Sequence, residues 1–214
     1  MTKPTKVIIW GAGGHGKVIL DILAESKIPV LGFIDDDKKK VNQSINGCRI
    51  LGNAAYLEKI KNKRAVKIAL GIGNNEIRKT IFQKATALGF QVISAVHPRA
   101  VVSRHARLGR GVVVMAGAVI NPSAILEDGA VVNTGASVDH DCYLEAFCHI
   151  WPGAHLAGTV RVGSCSYVGT GAAVIQNVSI GKNTMVGAGA VVIASVPERV
   201  TVAGVPAKVI KRKK

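Results

Sequence analysis

A strict repeat of six residues runs through the second half of this chain and leaves few folds open to it. From Val96 to Val192, every sixth residue is Val, Leu or Ile. Four residues after each such position, from Leu108 onward, comes a small or modest side chain: Val112, Ala118, Ala124, Ala130, Ala136, Cys142, Cys148 and so on to Val196. An α-helix turns every 3.6 residues and a strand alternates every two, so neither keeps a period of six on one face. A parallel β-helix does, because its short strands turn a corner every six residues. Three faces per coil mean about 18 residues per coil, so residues 96–196 make roughly five to six coils. The aliphatic position is expected to fill the interior, and the small one to let the corner close. Gly109, Gly163, Gly169, Gly181 and Gly187 directly follow the aliphatic position, where a tight backbone bend would favour glycine.

The repeat also accounts for two of the four cysteines. Cys142 and Cys148 fall at the small interior position and read as inert core residues. Cys48 and Cys165 have no evident partner. The absence of a CxxC pair or a dense cysteine framework suits a reducing cytoplasm. No run of 18 apolar residues is present, which argues against a membrane span, and the N-terminus lacks the length of a signal peptide.

Residues 1–95 read differently. Val7–Trp10 is a short apolar strand, followed by Gly11-Ala12-Gly13-Gly14-His15-Gly16 and then by Val18, Ile19, Ile22 and Leu23 at helical spacing. A strand, a glycine-rich turn and a helix form a nucleotide-binding context, since glycines admit close backbone approach and a helix N-terminus favours phosphate. A second strand, Val30–Ile34, ends at Asp35-Asp36-Asp37, where a ribose- or base-binding acid belongs. The pattern then predicts a helix near 53–60, a strand over 66–70, a Gly71-Ile72-Gly73-Asn74-Asn75 turn opening a helix to Leu88, and a last strand over 91–94. About 90 residues hold only half of a dinucleotide-binding fold, so one mononucleotide, not NAD, is the natural ligand.

The net charge of +15 raises the question of nucleic acid. Residues 1–96 carry 16 Lys and Arg against 7 Asp and Glu, residues 97–207 carry 7 against 6, and the last seven residues add five more cations. The excess is thus a basic small domain plus a tail, densest at Lys38–Lys40 and at Lys59, Lys61, Lys63 and Arg64. No aromatic residues interleave with these clusters as a base-stacking platform requires. Solvation of the surface and attraction of anionic substrates explain the charge better than nucleic acid does.

A mononucleotide-binding βα unit joined to a hexapeptide β-helix resembles the NeuD/PglD family of bacterial sugar acyltransferases. The marks are Gly11–Gly16 with His15, Asp35-Asp36, Gly71 to Arg78, Asp139-His140-Asp141-Cys142, Phe147-Cys148-His149-Ile150, Gly153 to Gly158, and Gly204-Val205-Pro206-Ala207-Lys208. The resemblance implies an N-terminal α/β Rossmann-like nucleotide-sugar-binding domain over 1–95. A left-handed β-helix acetyltransferase domain with a basic tail follows over 96–214. It further implies a homotrimer, acetyl-CoA between neighbouring coils, no metal, and a nucleotide-linked amino sugar reaching a catalytic histidine at the trimer interface. Residue by residue, it makes His140 the catalytic base and Asp141 its orienting acid, shorter than the glutamate of the PglD pattern. Asn133, inward of the same turn, lies near the amino sugar. His149 lies near the thioester, Gly158 is a backbone donor to its carbonyl, and Gly187 and Ala188 line the pantetheine. Gly13, Gly14, His15, Asp35, Asp36 and Gly73 take the nucleotide sugar.

The chemistry of the residues points the same way. Acetyl transfer to an amine needs a base for the ammonium proton, and imidazole beside a carboxylate that sets its tautomer suits that task near neutral pH. Backbone N–H groups facing the thioester carbonyl would stabilise an oxyanion by roughly 3 kcal/mol each. His140 stands two residues after Val138, an outward position, so burial does not explain it. His97, His105 and His155 read as structural.

The expected activity is N-acetylation of a UDP- or GDP-linked 4-amino-4,6-dideoxy sugar for surface glycans. Three rivals stand beside it: O-acetylation of a sialic-acid-type sugar, a trimeric nucleotide-sugar-binding module without catalysis, and a zinc β-helix using His140, His149 and His155.

Overall fold

A computed structural model of the chain describes residues 6–212. The chain forms two compact units, Met1–Pro98 and Arg99–Lys214. Met1–Thr5 and, from the basic tail, Lys213 and Lys214 lie outside the described residues.

The first unit is built on a twisted sheet with helices between its strands. Its elements are β1 (Lys6–Trp10), α1 (Gly14–Glu25), β2 (Val30–Ile34), β3 (Ser44–Ile45), β4 (Cys48–Gly52), α2 (Ala55–Glu58), β5 (Val66–Leu70), α3 (Asn75–Ala87) and β6 (Gln91–Val92). The strand order is β3-β4-β2-β1-β5-β6. All pairs are parallel except the β3–β4 hairpin. The central strands are apolar on both faces, as a sheet covered by helices requires; Ile8, Ile9, Phe33, Ile34, Ile68 and Ala69 are fully buried. The chain leaves β1 for one side of the sheet and returns to the other through β5. The crevice outside the carboxyl ends of β1 and β5 is therefore the switch point where an open α/β sheet takes its ligand. The helix expected near 53–60 is a single turn, Ala55–Glu58, and the 44–52 hairpin carried no pattern by which to foresee it.

The second unit is a left-handed parallel β-helix of three faces. On one face Val113, Val131, His149, Tyr167 and Met185 lie side by side, each 18 residues from the next. The second face aligns Val119, Ser137, His155, Ala173 and Val191, and the third Ile125, Tyr143, Arg161 and Ser179. The aliphatic and the small positions both point into the prism: Val114, Val132, Val138 and Leu144 are fully buried, and so are Ala118, Ala136, Ala154 and Ala172. Cys142 and Cys148 share that interior, and burial pushes the Cys142 thiol up to about 11. Where the small position turns polar, the hydroxyls are satisfied inside. Ser166 Oγ donates to the Gly181 carbonyl at 2.7 Å, and Thr184 Oγ1 to the Pro197 carbonyl at 2.9 Å. The last coil is closed by Val200–Ala203 and by Lys208–Arg212, which folds back antiparallel on it. Its cationic side chains blunt the edge that strand leaves open.

The corners correct one expectation. The residue in the left-handed backbone conformation comes three places after the aliphatic one, not directly after it. It recurs every six residues from Gly111 through Gly135, Asp141, Gly153 and Thr159 to Gly189. Gly109, Gly163, Gly169 and Gly181 are glycine for a different reason. A Cβ on each would fall within 2.3–2.8 Å of a backbone nitrogen or carbonyl of the next coil. They allow coils to approach; they do not bend the chain.

Candidate active site

The corner between the second and third faces carries the exposed acid–base pair. His140 Nδ1 lies 2.8 Å from Asp141 Oδ2, and the two side chains are 58% and 54% exposed. A carboxylate only accepts, so Nδ1 carries a proton and in the neutral ring Nε2 keeps its lone pair. The hydrogen bond to Asp141 raises the His140 pKa above its ordinary 6.5, helped by the nearby Asp139 charge. Asp141 itself occupies the left-handed corner position, φ 59°, a conformation that Asp and Asn adopt more readily than most residues. The corner is pinned from below: Asp139 Oδ1 accepts both the His140 backbone N–H and Asn121 Nδ2, each at 2.8 Å. Asp139 and Asn121 were not singled out as separate contributors. Their 18-residue spacing, one coil apart, is the signal that could have found them.

Gly158 lies in the same register as His140, one coil on. A Cβ there would stand 2.5 Å from His140 Cε1 and 2.6 Å from Nε2, so the imidazole lies against the bare backbone of the glycine. The N–H groups that bond coil to coil are those one before, one after and three after the aliphatic residue, as at Ser137, Asp139 and Asp141. The N–H at the position shared by His140 and Gly158, two after, stands outside that pattern, while the two carbonyls accept from the Thr159 and Asn177 N–H groups at 2.9 and 3.2 Å.

The remaining predicted residues of this unit sit elsewhere on the coil. His149 is buried on the first face, among Trp151 and Tyr167 at centroid distances of 6.1 and 6.2 Å. Its Nε2 lies 3.1 Å from Asn133 Nδ2. Asn133 is half-buried and turned to His149, not inward into the prism as expected. Gly187 and Ala188 occupy the corner column of Asn133, three coils on. Within one chain, then, His140 and Gly158 form one corner, while Asn133, Gly187 and Ala188 belong to another. His155 donates to or accepts from Ser137 Oγ at 2.9 Å. The three histidines of the zinc reading thus address three separate partners. Among the described residues, no group of three His, Cys, Asp or Glu side chains is placed to hold a metal ion.

In the first unit, two loops meet at the switch point. Gly11 and Gly71 are in backbone contact: a Cβ on Gly71 would fall 2.4 Å from the Gly11 carbonyl oxygen. Gly13 and Gly14, at the start of α1, face open space instead, and Gly13 supplies no side-chain cap to the helix. The first N–H groups of α1 are thereby left for an anion. His15 sits beside Gly73, whose added Cβ would be 4.0 Å from His15 Nδ1. Burial, with the charge of Arg78, lowers the His15 pKa from 6.5 to about 4, so the ring is neutral. Asp35 is engaged within the protein: it accepts the Ala12 N–H at 2.7 Å, the Asp37 N–H at 2.9 Å and Lys40 Nζ at 3.1 Å. Partial burial works to raise its pKa, but these donors prevail and hold it below the ordinary value. Asp36 accepts the Ala54 N–H at 3.0 Å. Both acids tie together the loops that follow β1, β2 and β4.

These features are those of a hexapeptide-repeat acyltransferase carrying a Rossmann-like α/β unit. Residues 6–85 match the PglD N-terminal domain. Over 96% of this chain and 100% of the other, the acetyltransferase domain of PglB from Neisseria gonorrhoeae is 43% identical, with a TM-score of 0.90. A structure of that domain holds acetyl coenzyme A. PerB from Caulobacter crescentus, solved with CoA and GDP-perosamine, is 41% identical over 95% of this chain and 96% of its own, with a TM-score of 0.90. A UDP-N-acetylbacillosamine N-acetyltransferase from Bacillus subtilis is 38% identical over 110 residues. That match spans about half the length of either protein, 51% of each. The chain belongs to the NeuD/PglD family of bacterial sugar acyltransferases. Among the described residues, no helix is long and apolar enough to cross a membrane.

Proposed function

We propose that this chain transfers the acetyl group of acetyl-CoA to the amino group of a UDP- or GDP-linked 4-amino-4,6-dideoxy sugar, for surface glycan biosynthesis. His140 is the general base and Asp141 orients it. The observation that carries this reading is the exposed His140–Asp141 pair at 2.8 Å, lying over Gly158.

The chemistry follows from the tautomer. With Nδ1–H donated to Asp141, Nε2 accepts the proton that the amine must lose as its nitrogen attacks the carbonyl carbon. The imidazolium so formed is stabilised by the Asp141 carboxylate. Acetyl-CoA supplies the acyl group already activated as a thioester; the C–N bond forms, the C–S bond breaks, and the thiolate leaves. Gly158, whose N–H takes no part in the coil-to-coil ladder, offers that N–H toward the carbonyl oxygen. His149, Gly187 and Ala188 line the coenzyme, and Asn133 faces the amino sugar. In the first unit, the open glycines Gly13 and Gly14 and the α1 N-terminus take the diphosphate, while His15 and Gly73 wall the pocket. Asp35 and Asp36 hold its loops. A homotrimer belongs to the same reading, since His140 and Gly158 occupy one corner of the β-helix and Gly187 and Ala188 another, and a second copy would join them. So does a cytoplasmic location, where both substrates occur and the four free cysteines stay reduced.

The test is thiol release from acetyl-CoA by the purified protein with UDP-, GDP- and dTDP-linked 4-amino-4,6-dideoxyhexoses, each beside its unaminated parent. Release with an amino sugar alone is the expected result. Release with none of them overturns the reading in favour of O-acetylation of another sugar or of a binding module.

A further inference from the structure

Arg78 is 0% exposed, and among the described residues it is the one Lys, Arg, Asp or Glu that is buried. It lies in the first turn of α3, directly after the loop that leaves β5. Its guanidinium donates through Nη1 to the carbonyls of Ile72 and Gly73, both at 3.1 Å, and through Nη2 to Asn75 Oδ1 at 2.7 Å. One side chain thus holds three successive parts of a loop that carries little side-chain mass of its own. Asn75 is equally buried, so this fork is shielded from water.

A neutral amide could bond two carbonyls. A guanidinium in the same place incurs the desolvation of a full charge, which is recovered only where geometry and field repay it. The field here falls on a pocket of particular chemistry. His15, beside Gly73, is kept neutral by burial and by the Arg78 charge. Gly13 and Gly14 open the α1 N-terminus to solvent in the same crevice. A buried cation, a helix N-terminus and a neutral imidazole together suit a diphosphate.

We propose that Arg78 is the positioning residue of the nucleotide-sugar pocket: it locks the Gly71–Asn75 loop in shape and lends its charge, through that loop and His15, to the diphosphate. This rests on the nucleotide-sugar reading of the first unit. Arg78 touches no substrate itself; it acts through the loop.

The test uses the full-length protein, calorimetric titration with UDP, GDP and dTDP at two salt concentrations, and steady-state kinetics with each substrate varied. Arg78→Gln is expected to raise the nucleotide Kd and the KM for the sugar nucleotide by at least about tenfold, and to flatten the salt dependence of binding, with the KM for acetyl-CoA unchanged. Arg78→Lys keeps the charge and loses the fork, so it is expected to retain the wild-type salt dependence with an intermediate Kd. Should Arg78→Gln fail to fold, the lysine variant carries the test alone. A wild-type Kd in Arg78→Gln overturns the proposal, as does an equal rise in the KM for acetyl-CoA or a salt dependence lost in Arg78→Lys. Failure of the wild type to bind any of the three nucleotides overturns the pocket reading and this inference with it. Binding that the glutamine variant leaves untouched overturns the Arg78 assignment only.

Discussion

Gly158 stands one coil on from His140, so close that a single added methyl would overlap the imidazole, 2.5 Å from Cε1. The ring keeps its place because that neighbour has no side chain. Gly158→Ala is therefore expected to fold as the wild type does and to lose kcat by roughly 10²-fold, the order expected when a catalytic group is displaced by about an ångström. Circular dichroism beside the thiol-release assay checks it; wild-type turnover would sink the idea that the ring must lie there.

His140→Ala removes the base and is expected to lower kcat/KM by about 10²–10⁴-fold without altering the fold. Since Asp141 raises the His140 pKa above 6.5, and the neutral ring is the active form, the acid limb of the pH–rate profile should lie above that value. Asp141→Asn should move this limb to lower pH while reducing the plateau rate. A limb that stays in place in Asp141→Asn would separate it from His140.

His15 predicts how stability depends on pH. Its pKa is lowered to about 4 in the folded chain against the ordinary 6.5, so between those values the unfolded chain binds the extra proton. Stability should then rise with pH across that window and be fully present above 6.5, with a span of about 3 kcal/mol at 1.36 kcal/mol per pKa unit. Denaturant unfolding from pH 7 to 4 measures it. His15→Gln, which cannot titrate, should flatten the acid-side fall; an unchanged fall would place its origin elsewhere.

The two kinds of corner glycine should respond differently to alanine. Gly181→Ala would drive a Cβ to 2.3 Å from the Glu198 nitrogen in the next coil, and is expected to cost about 3 kcal/mol or more because backbone cannot move aside cheaply. Gly153→Ala meets nothing within 4 Å and suffers only its φ of 62°, a cost of about 1 kcal/mol. Equal midpoints of thermal unfolding for the two variants would contradict this.

Much of this could be read from residue order. The aliphatic series from Val96 to Val192 already implied the coil, its faces and its interior, since a repeat of volumes every six residues matches no other regular structure. Val7–Trp10 followed by Gly11–Gly16 placed the glycine-rich turn between β1 and α1, and His140 stood out because an outward, unburied histidine beside an acid has no packing reason to be there. Arg78 closes the Gly71 to Arg78 motif, but residue order assigns it no role. On a helix beside Lys79 it reads as surface charge, and only the path of the loop at Ile72–Asn75 wraps it. Asp35 shows the same dependence on the fold: an acid after a strand suggests a ligand contact, and the structure adds that its oxygens accept from Ala12, Asp37 and Lys40.

Glycine marks the boundary between the two sources of knowledge. Residue order places Gly109, Gly153 and Gly158 at three different positions of the six-residue repeat, because periodicity is a property of a string. Why Gly109 and Gly158 are glycine depends on distances between residues 18 or more apart. Gly109 yields to the backbone of the next coil, Gly153 to its own dihedral angle, and Gly158 to the ring of His140. A missing side chain has one letter and three physical causes, and only the stacking of coils in space tells them apart.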